Sequence, residues 1–273
     1  MLISKIVKAG SLSVISRFAW LKVFCQMKLN IYSGLAAPVL MKSALRKPPR
    51  LLQNFYIWQG LTLLFLVRRK PAPEILRAAG YFATNGQGPE STRWGKADYN
   101  FVIDTRTMYD GPDWRKRRPG QPFFAQVQLK YPHRPFGREP VTESRHREAP
   151  VPPIYPDHPL ARRDWAGYLK NIEALDAMVG EVLAELERAG VAQDTIVMFF
   201  GDNGRPHVRD KQWLYDGGLH VPLIVRWPGR IAPGTVREEL VSLVDLAPTC
   251  LRLAGLEVPA VMQGVPFLPE QNP

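Results

Sequence analysis

Residues Thr195-Ile-Val-Met-Phe-Phe-Gly-Asp-Asn-Gly204 begin with six side chains that are all apolar or β-branched and do not alternate with polar ones. A strand buried on both faces has this composition, and strands of that kind belong to sheets covered by helices on either side. Gly201 ends the run, and Asp202 and Asn203 follow directly with two oxygen-bearing side chains. In open α/β sheets the edge beyond the strand ends is where ligands bind. Lys211 comes next, in the glycine-containing segment Lys211-Gln-Trp-Leu-Tyr-Asp-Gly-Gly218, and Leu223 to Trp227 predicts a second buried strand. A carboxylate beside an amide suits a hard cation, and a nearby lysine suits an anion. The stretch therefore predicts a metal-and-anion site at a sheet edge.

Upstream of it, Tyr168, Ile172, Leu175, Val179, Val182 and Leu186 recur at alternating spacings of four and three. That makes one apolar helical stripe. Asp164 is the expected N-cap and Gly190 the stop. A helix feeding a buried strand is the αβ step of a doubly wound sheet. Ala72 to Ala79 predicts a short helix ended by Gly80, and Pro122 to Leu129 a strand. Asp245 to Gly255 predicts another short helix, with Pro248 in its first turn. Residues 137 to 160, dense in Pro, Arg, Glu and His without periodicity, predict a long loop. Arg115-Lys-Arg-Arg118 is expected to be a solvated turn.

Three spaced motifs, FFGDNG, KQWLYDGG and VPLIVRWPG, together resemble the distal active-site half of sulfatases. These are alkaline-phosphatase-like hydrolases, and the nearest resemblance is to the heparan N-sulfatase-like branch. The resemblance starts near Pro71 and also covers Gly95-Lys-Ala-Asp-Tyr-Asn-Phe101, Tyr131-Pro-His-Arg-Pro-Phe136 and Asp245-Leu-Ala-Pro-Thr249. It implies an α/β fold of alkaline-phosphatase-like type, a mixed sheet with helices on both faces, truncated at both ends. It also implies calcium at Asp202 and Asn203, and sulfate contacts from Lys96, His133 and Lys211. Asp98 stands where many sulfatases carry histidine, and Gln87 to Trp94 is expected to be a small loop insertion. A sulfated carbohydrate is the implied substrate.

Two parts of the pattern are missing. Sulfatases convert the first residue of a Cys/Ser-x-Pro-x-Arg motif to formylglycine. Cys25 is followed by Gln-Met-Lys-Leu and Cys250 by Leu-Arg-Leu-Ala, and no serine fits either. The acidic pair that completes the calcium site is also missing, since residues 1–66 hold no Asp or Glu. Calcium takes six to eight oxygens, so the implied site is incomplete. The expected organisation is an atypical segment 1–66, a partial sulfatase domain 67–269 and a tail 270–273. Segment 1–66 is expected to be a rearranged or mistranslated stretch, and the chain as written to turn over little or no sulfate ester. The alternatives are a non-catalytic anion-binding module and a zinc phosphoryl-transfer relative, which five histidines support poorly.

The 273 residues suffice for one large domain, with 45% hydrophobic and 22% charged residues. Lys and Arg number 36 against 25 Asp and Glu, a formal charge of +11. Charge alone identifies no nucleic-acid site, and none is expected. Leu51 to Val67 is shorter than a membrane span and interrupted by Gln53, Asn54 and Gln59, so a buried helix or an ill-ordered segment is expected there and no membrane partner. Sulfatases are usually exported, yet Lys22, Gln26 and Lys28 break any signal-like apolar run. Compartment stays open.

Overall fold

A computed structural model describes residues 19–25 (backbone only), 70–97, 104–136 and 141–269. Six strands form one sheet: β1 (Ala19–Cys25), β2 (Phe82–Gln87), β3 (Arg93–Trp94), β4 (Phe123–Leu129), β5 (Thr195–Gly201) and β6 (Leu223–Arg226), in the order β3-β2-β4-β1-β5-β6. The four inner strands run parallel, while β3 and β6 are antiparallel edges. In register, Cys25 is level with both Leu129 and Gly201, and Gln87 with Gln128. The C-terminal ends of β2, β4, β1 and β5 thus share one edge. The sheet is mixed, as expected, and its centre holds a strand that the sequence did not announce, because Lys22 interrupts the apolar run. The expectations for Leu51 to Val67, Asp98 and the tail 270–273 lie outside the described residues.

Every residue of β4 and β5 is buried, as an unalternating apolar run requires. Successive side chains point to opposite faces, and each face meets its own helices. Phe123, Ala125, Val127, Leu129, Val197 and Phe199 pack with Leu175, Val179, Val182 and Leu186 of the long helix α4 (Pro159–Arg188). Phe124, Ile196, Met198 and Phe200 pack with Ala72 and Leu76 of α1 (Ala72–Ala78); the short helices α2 (Thr105–Met108) and α5 (Asp216–Leu219) lie elsewhere in the chain order. On that face they also meet Leu246, Cys250, Leu251 and Leu253 of α6 (Leu246–Leu253). Fully burying each such large side chain contributes on the order of 2 kcal/mol.

Four local expectations are corrected. Helix α4 begins at Pro159, not after Asp164: the His158 side chain accepts the Leu160 N–H, and proline occupies the first turn. That turn carries no apolar stripe, so periodicity revealed only the later part. Residues 137 to 160 are not all loop, since α3 (Glu143–Glu148) forms there, and Arg145 bonds Glu173 of α4. Gln87 to Trp94 is a hairpin joining β2 to β3, with Gly86 opposite Trp94. Arg115 to Arg118 is no freely solvated turn either. Arg115 pairs with Asp113 and Glu185, and the Arg117 guanidinium lies 4.8 Å from the Phe123 ring centroid. Burial pulls the Arg117 pKa down.

Asp245 is a tether rather than a ligand. Its carboxylate accepts the N–H groups of Ser242 and Val265, each at 2.8 Å, and the Thr249 hydroxyl accepts that of Phe267. These bonds fix the segment after α6 to the start of that helix. No helix among the described residues is long and apolar enough to cross a membrane.

Candidate active site

Lys96 and His133 meet in one cleft of about 170 Å³ beyond the ends of β2 and β4, lined by Gln87, Lys96, Lys130, Tyr131, His133, Arg134 and Pro135. Among the described residues no carboxylate lines it. Lys96 is placed by its backbone. Its N–H donates to Gln128 Oε1 at 2.8 Å, and its carbonyl accepts from Gln128 Nε2 at 2.8 Å and Asn85 Nδ2 at 3.1 Å. Asn85 and Gln128 are both buried and bond each other at 2.8 Å. A buried amide pair without partners would be costly, so closing this clamp around residue 96 satisfies both. Gly95 makes the approach possible, because a Cβ there would lie 2.3 Å from Asn85 Oδ1. Clamped by uncharged groups, Lys96 keeps its ammonium exposed and makes no ion pair among the described residues.

His133 sits on the turn after β4, between the cis peptides Tyr131-Pro132 and Arg134-Pro135. Its Nδ1 lies 2.5 Å from the Arg134 carbonyl, which leaves Nε2 as the outward nitrogen. Next to it, Arg134 makes a bidentate pair with Asp164 of α4 at 2.7 and 2.6 Å, and donates from Nε to the Pro206 carbonyl at 2.9 Å. Asp164, expected as a helix cap, instead anchors the turn that carries His133. As an exposed pair its energy is at most about 1 kcal/mol, so its value is geometric.

Asp202, Asn203 and Lys211 leave the same edge from β5 but do not line that cleft. Their loop is built on a buried ion pair: Arg205 Nε lies 2.9 Å from Asp210 Oδ2, and Asp210 is fully buried. Tyr155 Oη lies 2.9 Å from Asp210 Oδ2 and 2.8 Å from the Val208 carbonyl, with one proton to donate. Burial, then Asp210, pushes the Tyr155 pKa up to about 12. The Lys211 N–H donates to the Arg205 carbonyl at 2.9 Å. Gly217 and Gly218 close the loop, for a Cβ on Gly218 would lie 2.1 Å from the Trp213 carbonyl oxygen. Neither Arg205 nor Asp210 was singled out in the sequence, where the Asp-Gly-Gly run was the available signal.

His207 lies between the two groups, enclosed by Phe136, Tyr155, Trp165 and Tyr168 with ring centroids 4.7 to 5.9 Å away. Neither ring nitrogen has a hydrogen-bond partner among the described residues. Nε2 is 3.4 Å from Asp164 Oδ2, near enough for charge interaction but outside hydrogen-bond geometry. Burial drives the His207 pKa down to about 4, with Arg134 and Arg205 acting the same way against Asp164 and Asp210.

The donor types of Asp202 and Asn203 suit a hard cation, and Asn203 Oδ1 is a buried acceptor without a donor. Among the described residues, however, no three His, Cys, Asp or Glu side chains gather. Calcium takes six to eight oxygens. The described donors fall short of that shell, so no chemical step is assigned to a metal.

A family model described as Sulfatase matches residues 68–256. The chain is 32% identical over 237 residues to the ulvan-active sulfatase of Formosa agariphila, covering 71% of this chain and 38% of that protein. It is 34% identical over 133 residues to N-acetylgalactosamine-6-sulfatase of Mus musculus, covering 43% and 26%. It thus spans well under half the length of these relatives. Among solved structures, the yidJ protein from Bacteroides fragilis superposes with a TM-score of 0.59 at 16% identity, over 95% of this chain and 79% of that one. That likeness bears on the fold alone.

Proposed function

The chain belongs to the sulfatase family, and from that premise we propose that the cleft between Lys96 and His133 receives the sulfate ester of a sulfated carbohydrate. The observation that carries this is the cleft's charge: among the described residues, cationic side chains and a histidine line it at the sheet's C-terminal edge and no carboxylate does. The Lys96 ammonium would neutralise the sulfate oxygens, and His133 Nε2 would hold or supply a proton at the ester oxygen. Lys211 would approach the sulfate from the β5 side. Asp202 and Asn203 would contribute two oxygens to a calcium shell completed from elsewhere. The motif spellings favour the heparan N-sulfatase-like branch, and residues 67–269 form the proposed partial sulfatase domain.

The 273 residues contain no Cys/Ser-x-Pro-x-Arg motif, and covalent catalysis needs its nucleophile. Binding with negligible turnover is therefore the proposed behaviour of this chain. Titration calorimetry with N-acetylglucosamine 6-sulfate tests it. Binding should be weakened roughly tenfold or more by Lys96→Gln, as expected for losing a charge-assisted contact. Unaltered affinity in that variant would sink the assignment. Sustained hydrolysis of an aryl sulfate, abolished by Lys211→Ala, would overturn the low-turnover part alone.

A further inference from the structure

Lys130 is a second cation in the cleft that one sulfate ester leaves unused. It directly follows β4, its side chain is exposed, and its ammonium lies 5.0 Å from the Tyr131 ring centroid. Among the described residues neither Lys130 nor Lys96 makes an ion pair, whereas Arg134 is already neutralised by Asp164. Among the described residues the cleft therefore offers two ammonium groups without an ion-pair partner, while a sulfate monoester brings one negative charge. Unpaired like charges facing one concavity raise the local concentration of anions and favour ligands whose charge matches.

Size points the same way. At about 170 Å³ the cleft is smaller than the roughly 300 Å³ at the low end of small-molecule pockets. It can hold anionic substituents while the sugar ring rests at the rim. We propose that Lys130 is a specificity-determining residue that selects sulfated sugars carrying a second anionic group beside the first. The inference rests on the sulfate reading of the cleft. The shared chemistry is a second anion, and a second sulfate or a uronate carboxylate would supply it.

The experiment is titration calorimetry of the full chain and K130Q with three probes: N-acetylglucosamine 6-sulfate, glucosamine 2-N,6-O-disulfate, and a monosulfated disaccharide containing a uronate. The wild-type chain should bind at least one dianionic probe about fivefold more tightly than the monosulfate, the scale of one exposed ion pair. In K130Q that ratio should fall to about one. Whichever dianion shows the preference identifies the second group. Equal affinities in the wild type, or a ratio that K130Q leaves unchanged, overturns the role of Lys130 while the sulfate site stands. If no probe binds at all, the sulfate site fails and Lys130's role with it.

Discussion

The segment after the antiparallel strand β3 and the loop after β5 each carry a lysine, yet different chemistry holds them. Lys96 is fixed by neutral amides, Asn85 and Gln128, and makes no ion pair among the described residues. The loop bearing Lys211 is fixed by a charge pair, Arg205 and Asp210, sealed by Gly217 and Gly218. A neutral clamp positions a cation without cancelling it. An ionic clamp gives rigidity but places opposing charges beside whatever binds. Lys96 thus presents its cation from a neutral clamp, and Lys211 presents its own from an ionically braced loop.

The contrast can be attacked first at Arg205. Arg205→Ala leaves Asp210 charged and fully buried, and breaking such a pair costs about 3 kcal/mol. Urea unfolding should show that loss; a change below about 1 kcal/mol would mean the pair is not the loop's framework. Gln128→Leu should cost less, about 2 kcal/mol, by orphaning the Lys96 N–H and one Asn85 oxygen. It should also weaken binding of the monosulfated sugar, because Lys96 is no longer fixed. Unfolding loss with intact affinity would show that the clamp serves stability only.

The third test concerns His207. Its folded pKa of about 4 lies below the ordinary 6.5, so the unfolded chain binds the proton first as pH falls. The stability tied to neutral His207 is complete above about 6.5 and drains away down to about 4. Between pH 7 and pH 5 the loss should be about 2 kcal/mol, and His207→Phe, a ring of similar size in the same aromatic enclosure, should remove it. A wild-type chain equally stable at both pH values would contradict the burial of this ring.

What the sequence revealed and what it hid follow the range of each interaction. The β5 run and the α4 stripe are local patterns of one element against the core, and both were legible. The start of α4 was not, because His158 caps it and no residue of the helix before Trp165 is buried. Lys96 and His133 were found by resemblance, and the structure brings them into one cleft. The Asn85–Gln128 clamp was invisible: its two residues are 43 positions apart and meet only once β2 and β4 are paired. Arg205 and Asp210 are close in sequence, but without the Gly217 and Gly218 contacts nothing distinguished them from solvated loop charges.

Crystals soaked in selenate, which mimics sulfate and scatters anomalously, would address the central claim most directly. The expected result is a selenium peak in the cleft, placed so that selenate oxygens accept hydrogen bonds from Lys96 Nζ and His133 Nε2. A peak elsewhere on the molecule with none in that cleft would contradict it.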